Sequence, residues 1–223
     1  MKKRLALVTG ASRGIGLAIS ELFKKNGLEV LTPSRQELDL LSEESIRNFL
    51  KKNSHLEIDI LVNNAGINII ENIENISTNS LTQTLQTNLV APTILIQELS
   101  SKMIERKFGR IVNISSIWSQ VSKSGRGVYS ATKSAINGLT KAVAVELSQH
   151  NILINAVAPG FVDTDLTRKN NSLEQLELIK SNIPIKRLAQ TSEIAELVYF
   201  LVSEKNSYIT GQTIFIDGGF TCH

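Results

Sequence analysis

The chain has 223 residues, of which 42% are hydrophobic and 20% charged, with 24 basic against 21 acidic side chains for a formal net charge of +3. That balance suits one globular domain over residues 1–223 with a sizeable core, and excludes a disordered chain. No apolar run approaches the roughly 18 residues of a membrane-spanning helix, and no dense Lys/Arg tract interleaved with aromatics points to nucleic acid.

Cys222 is the only cysteine, so there is no disulfide framework and no thiolate metal cluster. The histidines, His55, His150 and His223, are scattered and exclude a closely spaced histidine metal site. No metal is expected. The basic start Met1–Arg4 is followed by an apolar stretch that breaks at Thr9-Gly10, too short for a secretory signal, and a reducing cytoplasm is the expected compartment.

Short apolar runs at Leu5–Val8, Glu29–Thr32, Ile58–Val62, Ile111–Ile114, Leu153–Val157 and Thr213–Ile216 read as buried strands. Amphipathic stretches near Ile15–Lys25, Glu43–Lys52, Leu81–Arg106, Tyr129–Gln149 and Ser192–Val202 read as helices between them. Runs apolar on both faces, alternating with helices, predict an α/β fold: a parallel, doubly wound sheet with helices on both faces. Ligands of such sheets bind at the carboxyl ends of the strands. The charged stretch Lys102–Arg110 reads as a solvated helix end.

Directly after the first strand stands Thr9-Gly10-Ala11-Ser12-Arg13-Gly14-Ile15-Gly16, leading into a helix. Glycines here permit a tight turn and close backbone approach to a phosphate, and the helix N-terminus adds free N–H groups for a pyrophosphate. The second strand runs into Ser34-Arg35. A guanidinium pairs with a ribose 2′-phosphate, where a carboxylate would repel it. Arg13 and Arg35 therefore favour NADP(H) over NAD(H), the plain alternative being that both are solvated surface residues.

On these residues the sequence resembles the short-chain dehydrogenase/reductase family nearly end to end. The glycine turn matches the family's TGxxxGIG. Asn63-Asn64-Ala65-Gly66 matches NNAG, and Thr87-Asn88-Leu89 matches the context of its conserved asparagine. Ile114-Ser115-Ser116 matches its catalytic serine segment and Tyr129-Ser130-Ala131-Thr132-Lys133 its YxxxK motif. Pro159-Gly160-Phe161-Val162-Asp163-Thr164 matches the segment that closes over the nicotinamide. The stretch from Ile183-Pro184 to Asp217-Gly218-Gly219 is similar to the 3-oxoacyl-carrier-protein reductase branch.

The resemblance implies a Rossmann fold of about seven strands, Glu37–Leu40 supplying the third. The helix that members carry between the second and third strands is missing. It implies cofactor contacts from Gly10, Ser12, Arg13, Gly14, Ile15 and Gly16, from Ser34, Arg35, Asp39 and Leu40, and from Asn64, Ala65 and Gly66. Tyr129, Lys133, Pro159, Gly160, Val162 and Thr164 complete the set.

It also implies a catalytic set of Asn88, Ser116, Tyr129 and Lys133. A phenol has an ordinary pKa near 10, and Lys133, one helical turn after Tyr129, is expected to lower it by Coulomb attraction. Ser116 and the Tyr129 hydroxyl would donate hydrogen bonds to the substrate oxygen, and Asn88 would hold a water in a proton relay from Lys133. Substrate contacts are expected from Ser116, Trp118, Tyr129 and Phe161, under a mobile lid over Asp165–Lys186.

The reaction so implied is NADP(H)-dependent reduction of a 3-oxoacyl thioester or related ketone. Acyl carrier protein would be a partner docking near Lys107, although His150 stands where a stronger cation is expected. A dedicated enzyme for a secondary-metabolite or sugar-derived substrate is the competing reading. A non-enzymatic NADP(H)-binding regulator is a third, opposed by the presence of both Tyr129 and Lys133. Packing of the two long helices against copies in other subunits implies a homotetramer.

Overall fold

The computed structural model describes residues 3–169 and 171–222. Among them, six parallel strands form one sheet: β1 (Leu5–Val8), β2 (Glu29–Leu31), β3 (Ile58–Asn63), β4 (Gly109–Ile114), β5 (Ile152–Pro159) and β6 (Thr213–Ile216). Their order is β2-β1-β3-β4-β5-β6. The chain winds outward from β1 to β2, then returns to the other side of β1, so the direction of winding reverses between β1 and β3. A crevice at the carboxyl ends of β1 and β3 follows from that reversal.

Alternation along the strands splits the core into two layers. Leu7, Leu61, Ile111 and Ile154 stand in register across β1, β3, β4 and β5. They pack under α2 (Glu43–Lys52), α4 (Ala91–Arg106) and α5 (Gly127–Leu147), through Ile46, Leu95, Met103 and Val143. On the opposite face Val8, Val62 and Val112 pack under α1 (Gly14–Lys25) and α8 (Thr191–Val202), through Ile19, Phe23, Ile194 and Val198. Each fully buried Leu or Ile of these rows contributes about 1.5–3 kcal/mol.

The expected seventh strand does not form. Residues 37–40 are held in a local turn: Ser34 N and Oγ both donate to Glu37 Oε2 at 2.8 Å, and Leu38 N donates to Ser34 O. These bonds satisfy the backbone locally, so the segment has no call on a sheet edge. Three-residue β2 is left as that edge, and no helix follows it before α2. Ser42 caps α2, its side chain accepting from Ser45 N, with Glu43 and Glu44 in the first turn and Lys51 and Lys52 in the last, each end matched to the helix dipole.

The single helix expected over Leu81–Arg106 is three pieces: α3 (Thr78–Leu85), a π-helical turn (Gln86–Val90) and α4. Pro92, in the first turn of α4, has no N–H to give the Asn88 carbonyl, and the helix widens there. The segment expected as a lid carries two short helices, α6 (Asp165–Lys169) and α7 (Leu173–Asn182), and α7 buries no residue. Lys102–Arg110 is not a solvated end: Arg110 is buried and stacks with Arg4 on Phe108, and Arg106 Nε lies 3.7 Å from the buried carboxylate of Asp59. No helix is long and apolar enough to cross a membrane among the described residues.

Candidate functional site

At the end of β1 the glycine turn is built for close approach. Gly10 and Gly14 hold φ of 65° and 57°, in the left-handed region that favours glycine. A Cβ on Gly16 would lie 2.4 Å from both Asn64 Nδ2 and Gly10 O. Asn64 ties the turn to the end of β3, its Nδ2 donating to Thr9 O at 2.9 Å and Gly10 O at 3.0 Å, while Ala65 N donates to Thr9 Oγ1. Arg13, the N-cap of α1, gives no side-chain cap, and the first turn carries no acidic residue. The leading N–H groups of α1 are thus left for a ligand.

A cavity of about 490 Å³ opens above this turn, lined by Gly10, Ser12, Ser34, Arg35, Leu38, Asp39, Leu40, Ala65 and Gly66. Asp39 and Leu40 reach it although their segment is a turn. Arg35 is exposed, with its Nε 3.6 Å from Asp39 Oδ1. Glu37 turns to the neighbouring groove beside Lys52, and the Ser34 bonds hold its carboxyl below the usual range. Thr164 stands over the opposite side, its methyl 3.6 Å from where a Gly14 Cβ would be. Pro159 ends β5, and Gly160 passes so close to Asp217 that a Cβ would come within 2.8 Å of that residue's Cα. Val162 is buried and bridges Ala189. Glycines where a Cβ would collide, uncapped N–H groups and a cavity reaching Arg35 together fit a dinucleotide.

Beside this cavity, at the ends of β4 and β5, the second group assembles. Ser116 is buried at the carboxyl end of β4, its Oγ accepting from Trp118 N at 3.3 Å. Ser115 N donates to Val157 O at 2.7 Å and its hydroxyl to Lys133 O at 3.2 Å, joining β4 to β5 and α5. Tyr129 and Lys133 lie in the first two turns of α5 on one face. Lys133 is buried; its Nζ donates to Ile114 O at 2.6 Å and lies 5.6 Å from the centre of the Tyr129 ring. Burial pulls the Lys133 ammonium down to about 8.

The expected lowering of Tyr129 by Lys133 is not what the site shows. Burial raises the phenol above its ordinary value, and the opposing influences are a hydrogen bond with Ser116 and the charge of Arg126. The Lys133 ammonium donates to the Ile114 carbonyl and is not among the charges that act on the phenol.

Asn88 lies in the π-helical turn and is buried. Its Oδ1 accepts from Ile67 N at 2.9 Å, and its Nδ2 donates to Ile67 O at 2.9 Å and Thr132 Oγ1 at 3.2 Å. The side chain therefore clamps the loop after β3 onto α5. A Cβ on Gly66 would lie 3.3 Å from Asn88 Oδ1 and 3.6 Å from Lys133 Nζ. Trp118 and Phe161 meet edge to face at 6.0 Å, and Phe161 meets Phe220 at 5.3 Å.

Sequence reasoning missed Phe220 and Arg126. Arg126 sits one turn before Tyr129 at the N-cap of α5, and its charge acts on the phenol. A cation one helical turn ahead of the YxxxK tyrosine was the available signal.

A doubly wound sheet with this glycine turn at its reversal point defines the class of Rossmann-fold proteins, and comparison with known proteins narrows the class. A family model described as enoyl-(acyl carrier protein) reductase matches residues 36–221. The 3-oxoacyl-[acyl-carrier-protein] reductase FabG of Aquifex aeolicus (strain VF5) is 37% identical over 243 residues, covering 98% of each chain. The solved structure of 4-hydroxyisoleucine dehydrogenase complexed with NADH superposes with a TM-score of 0.94 at 30% identity, covering 99% of this chain and 100% of the other. YwfH, an NADPH dependent reductase involved in bacilysin biosynthesis, gives 0.88 at 29% identity and 99% coverage of both chains. The chain belongs to the short-chain dehydrogenase/reductase family of oxidoreductases, which use a nicotinamide cofactor, and within it resembles the 3-oxoacyl-carrier-protein reductases.

Proposed function

We propose that this chain reduces a carbonyl compound with NADP(H), Tyr129 giving the proton to the carbonyl oxygen. The observation that carries the reading is the placement of Tyr129 and the buried Lys133 one turn apart on α5, with Lys133 Nζ bonded to the Ile114 carbonyl at the end of β4, where Ser116 follows, beside the dinucleotide cavity. The nicotinamide, when bound, supplies the hydride. Gly10, Ser12, Gly14, Ile15 and Gly16 would hold the pyrophosphate. Ser34, Arg13 and Arg35 would hold the phosphorylated ribose, Asp39, Leu40, Asn64, Ala65 and Gly66 the adenosine side, and Pro159, Gly160, Val162 and Thr164 the nicotinamide side.

As negative charge develops on the substrate oxygen, two donors aimed at it stabilise the transition state more than the ground state. Ser116 provides one hydrogen bond and keeps the substrate oxygen in reach of the phenol. A phenol raised by burial stays protonated through neutral pH and serves as the acid in the reductive direction. Lys133 orders the site through Ile114 and Ser115, and would return the proton to Tyr129. Asn88 holds the floor of the site by clamping Ile67 and Thr132.

A 3-oxoacyl thioester is the first substrate class, supported by the likeness to FabG, with acyl carrier protein as its carrier. Cytoplasmic location and a homotetramer packed through α4 and α5 complete this reading. A dedicated reductase of a small metabolite is the second reading, favoured by the two cations, Lys123 and Arg126, that flank Trp118. NADPH oxidation with an acetoacetyl thioester tests the proposal. Tyr129→Phe lowers turnover about 10³-fold while NADPH still binds; turnover unchanged by that substitution rejects Tyr129 as the proton donor, whereas NADPH binding by the native protein without turnover of any carbonyl compound returns a non-enzymatic NADP(H)-binding role.

A further inference from the structure

Arg126 has a charge and no counter-ion. Among the described residues, its guanidinium makes no hydrogen bond or ion pair to the protein, and its buried Nε has no partner. The group is partly withdrawn from water, stacked 5.9 Å from the centre of the Trp118 ring. Lys123 Nζ stands 5.9 Å from the centre of the same ring. Arg126 is also the N-cap residue of α5, a 21-residue helix whose first turn contains no acidic side chain and whose leading N–H groups have no side-chain cap. Other arginines have partners: Arg168 pairs with Asp163, Arg187 with Glu193 and Arg106 with Asp59, and the buried Arg110 donates to the Gly109 and Asn151 carbonyls.

A half-buried cation without a partner is costly to a fold, and the cost is recovered when an anion arrives. The position of Arg126 fixes where that anion belongs. It is one helical turn before Tyr129, whose phenol its charge favours ionising, and its guanidinium flanks Trp118, which meets Phe161 edge to face.

We propose that the carbonyl substrate carries a carboxylate a few bonds from its reacting carbon, and that Arg126 receives it, with Lys123 as an outer cation. The substrate class is then an oxo acid, or the hydroxy acid in the reverse direction. This inference deepens the second reading, a dedicated reductase of a small metabolite, in place of the thioester, and rests on the assignment of Tyr129 as the proton donor.

Acetoacetate and its methyl ester offer the same ketone with and without the charge. With NADPH, the native protein favours the acid over the ester in kcat/KM. Arg126→Gln lowers that preference by about 30-fold, as expected for loss of a charge-assisted bond. Arg126→Lys restores part of it, and Lys123→Gln lowers it less. A preference unchanged in Arg126→Gln overturns the inference.

A second readout does not depend on turnover, because Trp118 is the only tryptophan. Titrating acetoacetate into the NADP⁺-loaded protein changes Trp118 fluorescence, the ester does not, and Arg126→Gln abolishes the response. An equal response to both compounds, or to neither, overturns the inference. Tyr129→Phe separates the two levels. If that variant still reduces the ester, the proton-donor assignment fails, whereas loss of turnover with no discrimination by Arg126 removes only the oxo-acid claim.

Discussion

Lys133 Nζ donates a hydrogen bond of 2.6 Å to the Ile114 carbonyl, so the cation of the YxxxK motif is anchored to the end of β4 as well as facing the tyrosine ring. That anchoring and complete burial have a consequence for stability. In the folded chain the ammonium titrates near 8, against an ordinary value of 10.5. Between those values the unfolded chain holds more protons, so this group's contribution to stability rises with pH across that window; below it the burial cost is present in full. Denaturant unfolding of the native protein and Lys133→Met at about pH 7 and about pH 9.5 checks this. The difference moves in favour of the native protein by about 2 kcal/mol at the higher pH; a pH-independent difference contradicts it.

Asn88→Asp keeps the shape of the side chain and removes its donor. The Ile67 carbonyl and Thr132 hydroxyl lose their bond, and a carboxylate is buried against the Ile67 carbonyl. A loss of about 3 kcal/mol in unfolding free energy is expected. Loss of protection in hydrogen exchange around residues 66–68 would accompany it.

Two glycines of the same turn respond differently. Gly16→Ala drives a methyl into Asn64 Nδ2 and the Gly10 carbonyl at 2.4 Å, and the backbone cannot yield without shifting α1. Cofactor affinity falls by at least about tenfold, since the phosphate-facing N–H groups move with the helix. Gly14→Ala meets nothing closer than 3.6 Å and suffers only its positive φ, costing about 1–2 kcal/mol. Cofactor titration and thermal unfolding of both variants separate the two effects.

Arg35→Ala raises the KM for NADPH about tenfold and leaves that for NADH nearly unchanged, since the guanidinium reaches the cavity while tied only to Asp39 at an exposed site. Arg13→Ala acts the same way with smaller effect. Parallel KM measurements with the two cofactors decide the matter, and a native preference for NADH removes the NADP(H) assignment.

The alternation of apolar runs was enough to set the strands and the two-layered sheet, because burial on both faces leaves its mark in every residue of Leu61–Val62 or Ile111–Val112. The glycine turn and the Tyr129–Lys133 spacing were equally legible, being local: one needs φ values that favour glycine, the other a single helical turn. Contacts between distant segments were not. The turn at Ser34–Glu37 replaces a strand through two side-chain bonds, and the π-helical turn at Asn88 depends on both Pro92 and the loop it clamps. The raised phenol of Tyr129 and the unpaired charge of Arg126 depend on how much water the surrounding segments exclude. Periodicity and short-range spacing are properties of the chain, whereas desolvation and pairing exist only after remote segments meet.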